Sequence, residues 1–112
     1  MDKDILKLSP LTESTFYTLL VLKRPMHGYE KIKEVEELTK GRLVLAAGTL
    51  YGVLQNLNKH DLISFINDHH VNKRRKEYII TSTGNDLLNY EIKRLEEVIR
   101  IVKKVHFNEK SN

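Results

Sequence analysis

The sequence contains no cysteine, which excludes a disulfide framework and thiolate chemistry. No apolar run reaches membrane-spanning length and no secretory hydrophobic region is visible. Neither bilayer insertion nor export is expected, and the expected compartment is the cytoplasm. Proline is scarce: Pro10 and Pro25 stand alone, each reading as a break between elements, and no Pro-rich linker divides the chain. The constellations of an enzyme are also missing. There are no paired carboxylates, no nucleophile–base arrangement and no phosphate-cradling glycine loop, since Gly48 and Gly52 do not fit that spacing. No catalytic residue and no cofactor is therefore assigned. His27 has no nucleophile beside it and no second histidine at ligand spacing, so it reads as a structural residue at a helix start. His69 and His70 follow Asp68, but adjacent histidines usually point apart, and no cysteine or carboxylate cluster completes a metal set.

What remains is a chain of 112 residues, the size of one small domain, with 30% charged residues. A domain this small has a high surface-to-volume ratio and would gain from oligomerisation. Its net charge of +4 is unevenly placed. Residues 1–40 carry seven basic and seven acidic residues, 41–81 carry six and three, and 82–112 carry six and five. The excess therefore sits in the middle third, a mild version of the electrostatic footprint of a nucleic-acid binder.

The middle third also holds the most unusual stretch, residues 47–62. Leu50, Val53, Leu54 and Leu57 follow the i, i+3, i+4, i+7 pattern of an amphipathic helix, so they form one stripe against a core. The opposite face carries Gly48, Gly52, Gln55 and Lys59, flanked by Tyr51, Asn58 and Asn56. An outward glycine inside a helix costs about 1 kcal/mol relative to alanine. Close approach to another body is one reason to accept that cost. The surrounding amide, amine and phenol groups can hydrogen-bond base edges and phosphates. We read this helix as a recognition helix for the DNA major groove; the alternative is a solvated helix with chance glycines. It lacks a strong polar N-cap, so either Thr49 caps it or its free N–H groups await a phosphate.

Residues 1–11 read as a short arm or a helical turn ending at Ser9-Pro10. Thr12 is placed to cap a first helix through Phe16, Leu19, Leu20 and Val21 to Lys23. A second helix is expected to open at Met26-His27-Gly28-Tyr29-Glu30 and to stop at Thr39-Lys40-Gly41, with Gly41 as a left-handed cap. Tyr29 is ambiguous between core packing and a phosphate contact. Arg42-Leu43-Val44-Leu45 reads as a short extended run, at most a three-residue strand. Leu62-Ile63-Ser64-Phe65-Ile66 and Tyr78-Ile79-Ile80-Thr81 read as an antiparallel hairpin. Its connection ends in Lys73, Arg74, Arg75 and Lys76, four consecutive basic residues placed to meet a phosphate backbone. A solvated charge run is the bland alternative, and the glycine-faced helix upstream favours the former.

Thr81 is expected to cap a last helix running to Val105 or Phe107. Leu88, Ile92, Leu95, Ile99 and Val102 step along it as a heptad seam, widened by Val98 and Val105. About 25 residues at 1.5 Å each make a rod of roughly 38 Å, too long for this domain to cover, so the seam calls for a partner helix. The expected fold is mostly α with a small β-hairpin: a winged helix-turn-helix with a long C-terminal dimerisation helix. The expected division is a DNA-binding unit over 1–81 and a dimerisation helix with polar tail over 82–112. Phe16 and Leu20 of the first helix are expected to add to the dimer contact.

Several segments also resemble the PadR-like transcriptional regulators. These are Met26-His27-Gly28-Tyr29-Glu30; Gly48-Thr49-Leu50-Tyr51 with Leu54 and Leu57; Leu62-Ile63; Lys76 and Tyr78; and Thr81-Ser82-Thr83-Gly84 with Leu88. The resemblance spans roughly residues 11–95 and is to the short subclass with one C-terminal helix. It implies repression, or less often activation, by a homodimer on operator DNA, relieved in many members by a small aromatic molecule. Carried over by position, Thr49, Tyr51, Lys73, Arg74, Arg75 and Lys76 would touch DNA, with Tyr29 a further candidate. Two departures stand out. Gly52 occupies a position that is often proline in the family. The chain also has no tryptophan, whereas some short members stack planar drugs between tryptophans of the last helix. A different class of function, a winged-helix protein–protein adaptor without DNA binding, is separable from DNA binding by salt dependence.

Overall fold

The computed structural model describes residues 2–66 and 77–107. A short helix α1, Lys3–Leu6, is capped by the Asp2 side chain, which accepts from the Asp4 N–H. A strap over residues 8–11 leads to α2, Glu13–Val21. Thr12 caps α2 as expected, its hydroxyl accepting from the Thr15 N–H at 3.2 Å. Two-residue strand β1, Met26–His27, precedes α3, Gly28–Leu38. Then come α4, Ala47–Lys59, β2, Ile63–Ile66, β3, Glu77–Ile80, and α5, Ser82–Val102. A five-residue π turn, Lys103–Phe107, extends α5.

The apolar stripes meet in one core. Leu19 and Leu22 come from α2 and its end, Val35 from α3, Leu50, Leu54 and Leu57 from α4, and Leu87 and Leu88 from α5. Leu62 and Ile63 at the start of β2 complete its centre. The Ile80 N–H donates to the Leu22 carbonyl at 2.8 Å, which ties the end of α2 to the sheet. Thr81 caps α5, its hydroxyl accepting from the Gly84 N–H at 3.0 Å. Gly84 is required at that point, because a Cβ there would overlap the Leu62 backbone carbonyl.

Two expectations are corrected. The sheet has three strands in the order β1-β3-β2, all antiparallel. Its third strand is Met26–His27, which pairs Met26 with Tyr78 and His27 with Glu77, and not the run 42–45. Both sides of β3 are thereby taken, and the run 42–45 pairs with no strand. Its backbone is held instead by Thr39, whose hydroxyl accepts from the Leu43 N–H at 3.1 Å and donates to the Val35 carbonyl at 2.9 Å. Consequently α3 opens at Gly28, two residues later than its motif suggests. Its C-terminal turn does use Gly41, at φ 81°, and Lys40 at φ 53° is left-handed as well.

Candidate nucleic-acid interface

Helix α4 presents the face its sequence implies. Leu50, Leu54 and Leu57 are buried, Val53 is half-buried, and Gly48, Thr49, Tyr51, Gly52, Gln55, Asn56, Asn58 and Lys59 are exposed. Tyr51 is 67% exposed, large for an aromatic ring on a domain this small. A Cβ built at Gly48 or Gly52 would meet nothing within 4 Å. No packing among the described residues therefore calls for glycine there, and the helix surface is left flat and open to an external body. The start of α4 is equally open. Ala46 is its N-cap residue and supplies no side-chain hydrogen bond. Thr49 lies inside the first turn and does not cap the helix, so the first N–H groups are free of side-chain capping and favour an anion.

Two further features lie outside α4. Tyr29, in the first turn of α3, is 73% exposed, which sets aside the core-packing alternative. Arg42, in the loop that leads into α4, makes two hydrogen bonds to Glu13 at the start of α2, at 2.9 and 2.6 Å. The Arg42 hydrogen bond is the main cause that holds the Glu13 carboxyl below its ordinary pKa. Lys73, Arg74, Arg75 and Lys76 lie outside the described residues, as do Asp68, His69 and His70. The strands flanking them, β2 and β3, pair in register from Ile63 with Ile80 to Ile66 with Glu77.

Behind the sheet lies a feature with no signal in the sequence. Lys31 of α3 is fully buried, and its Nζ has no hydrogen-bond partner among the described residues. It sits 4.7 Å from the centre of the Tyr78 ring in β3, a cation–π contact. Burial lowers its pKa to about 8, against the opposing pull of Glu30 and Glu77.

The helix α5 changes character halfway. Gly84, Leu87, Leu88 and Glu91 are its buried residues. Leu88 is 0% exposed, so it belongs to the core of its own chain and not to a seam open to a partner, a correction to the heptad reading. Ile92 is half-buried, and Leu95, Val98, Ile99, Ile101 and Val102 are exposed, Ile99 to 53%. Phe16 and Leu20 are half-buried on α2, and Phe16 and Leu95 line one shallow recess with Leu11 and Arg94. Among the described residues no helix is long and apolar enough to cross a membrane, and no group of three or more His, Cys, Asp or Glu side chains is gathered for a metal.

This arrangement occurs in known proteins. A regulator from Clostridium thermocellum superposes with a TM-score of 0.73 at 21% identity, over 95% of this chain and 98% of that one. A PadR family transcription regulator from hypervirulent Clostridium difficile superposes at 0.70 with 25% identity, over 83% and 97%. An uncharacterised protein of Lysinibacillus sphaericus is 33% identical over 84 residues, which is 74% of this chain and 77% of that protein. The sequence model of the "Transcriptional regulator PadR-like family" matches residues 18–90, from α2 through the sheet into α5. The fold is thus the winged helix, and the chain belongs to the PadR-like family of transcriptional regulators, which are DNA-binding regulators and not enzymes.

Proposed function

We propose that the protein is a homodimeric repressor that binds an inverted-repeat operator in double-stranded DNA and works in the cytoplasm. Residues 1–81 read the DNA and residues 82–112 join the two subunits. Helix α4 enters the major groove with Gly48, Thr49, Tyr51, Gly52, Gln55 and Lys59 facing the bases and backbone. Tyr29 and the wing residues Lys73, Arg74, Arg75 and Lys76 contact phosphates. The observation that carries this reading is the pair of open glycines on the outward face of α4. A flat helix face ringed by Tyr51, Gln55, Asn58 and Lys59 suits a body that must come within hydrogen-bonding distance of the backbone.

The partner surface is the exposed aliphatic face of α5 from Ile92 onward, with Leu95, Ile99 and Val102 as its seam and Phe16 and Leu20 beside it. In one chain, Ile92, Leu95, Glu96 and Ile99 line a recess of about 350 Å³. A small aromatic effector would lodge there, between the two α5 helices, and shift their angle. Without tryptophan the recess would grip a planar molecule by aliphatic contact alone.

Selection of bound fragments from genomic DNA, followed by fluorescence anisotropy on those fragments across a salt series, tests the reading. The expected result is enrichment of inverted repeats whose affinity falls steeply with salt, by a log–log slope of about −0.9 per phosphate neutralised. Absence of any enriched sequence, together with a salt-insensitive protein partner, would assign the fold to an adaptor instead.

A further inference from the structure

Glu91 is a carboxylate with no exposed surface, placed where α5 leaves the body of its domain. Both its oxygens are engaged. Oε2 accepts from the Ser9 hydroxyl at 2.7 Å and from Arg94 Nε at 2.6 Å. Oε1 accepts from the Leu11 backbone N–H at 2.5 Å and from Arg94 Nη2 at 3.2 Å. Burial pushes the carboxyl pKa up, but the Arg94, Leu11 and Ser9 hydrogen bonds outweigh it and hold the group below its ordinary value. It is therefore ionised at neutral pH and fully satisfied, the condition under which a buried charge is tolerated.

Its partners explain its consequence. Ser9 and Leu11 belong to the strap over residues 8–11, which runs directly into Thr12, the cap of α2. On its other side the strap reaches the recognition helix. Leu8, Pro10, Leu11, Thr12 and Thr15 share a recess of about 170 Å³ with Asn56 and Leu57 of α4 and with Leu62. The strap is thus bonded to α5 through one carboxylate and packed beside the C-terminal half of α4. Beyond Glu91, Ile92 and Arg94 are half-buried, and the side chains from Leu95 onward are exposed. A helix held at its exit point has a fixed direction; one released there is free to swing.

We infer that Glu91, with Ser9, the Leu11 N–H and Arg94, is a positioning clamp that fixes the angle between α5 and the recognition helix and so sets the separation of the two half-sites that a dimer can read. Its functional part rests on the DNA-binding reading above; its mechanical part does not.

The absence of native cysteine makes the test direct. Spin labels at Asn58→Cys and Arg100→Cys report the distance from α4 to α5 within one chain, with excess unlabelled protein to dilute inter-subunit pairs. In the parent protein a single narrow distance is expected. In Glu91→Gln, and in Ser9→Ala, which removes one donor and leaves the charge and volume of Glu91 untouched, a broadened or bimodal distribution is expected. The second arm uses duplexes that the parent protein selects from a random-sequence pool, remade with the half-sites moved apart by a few base pairs. Both variants should keep their affinity for a single half-site and lose roughly tenfold in discrimination between spacings, the scale of ordinary coupling between two sites.

A lower melting temperature with an unchanged distance distribution would reduce Glu91 to a stability residue and overturn the inference. A broadened distribution with spacing discrimination intact would overturn its functional part. If the parent protein selects no DNA, the DNA-binding reading and the half-site role fall together, while the distances still decide the clamp.

Discussion

Single residues carry two of the expectations that separate surface from core. A Cβ at Gly52 meets none of the described residues within 4 Å. Gly52→Leu should therefore keep the fold, and helix propensity should raise stability by up to about 1 kcal/mol. It should also hold the helix off the groove and abolish operator binding, as anisotropy would show; normal affinity would move the DNA face elsewhere. Lys31 makes the opposite case. Its folded pKa, about 8, lies below the ordinary 10.5. Between those values the unfolded chain holds a proton that the folded chain lacks. Stability should thus rise with pH across that window, and this contribution is lost as pH falls through about 8. Lys31→Met keeps most of the volume and removes the charge. It should stabilise the protein by about 1–3 kcal/mol at pH 7, with the gain shrinking towards pH 10. Parallel melting curves of both proteins over pH 6–10 check this, and equal pH dependence in the two would exclude Lys31 as the source. Neither Lys31 nor Glu91 is legible in the sequence, where each reads as an ordinary helix charge. The Tyr78 ring over Lys31 and the strap over residues 8–11 beside Glu91 are both distant along the chain.

At the level of elements, what is legible in the sequence is what depends on local period and local chemistry. The α4 stripe, the Thr12 and Thr81 caps and the separate strands β2 and β3 follow from residues within a few positions of one another. Strand β1 does not, because two residues carry no period and their pairing is decided by the free edge of β3, some fifty positions away. The heptad on α5 is legible as a stripe but not as an interface. The same apolar step continues from Leu88, covered by its own chain, to Ile99, exposed, and a period does not say whose side chains cover it. The wing is tested by charge. Lys73→Ala with Arg74→Ala should weaken binding similarly on all sequences. The salt slope should become shallower by about one for each phosphate that is no longer neutralised. An unchanged slope with relaxed sequence preference would assign these residues to base reading.

For the whole molecule the decisive question is what covers α5. Its outer half exposes Leu95, Val98, Ile99, Ile101 and Val102, and Val105 and Phe107 follow in the π turn. Each such side chain gains roughly 1.5–3 kcal/mol on full burial, so a lone chain would forgo a large stabilisation. The proposed two-fold dimer would supply the missing cover with the same residues from a second copy. The same axis would set two α4 helices about one DNA turn apart, roughly 34 Å, which is the geometry of an inverted repeat. Leu95 lies mid-seam yet is 40% exposed in the single chain. A lysine there can reach water in the monomer, whereas in the dimer its charge would be buried at the contact. Leu95→Lys should therefore leave far-UV circular dichroism close to that of the parent and sediment as a monomer. It should bind the inverted repeat with the weak affinity of one half-site, although every DNA-facing side chain is retained. A dimeric Leu95→Lys protein with normal operator affinity would place the subunit contact on another surface, and the half-site spacing would then have to be set by that surface instead of by α5.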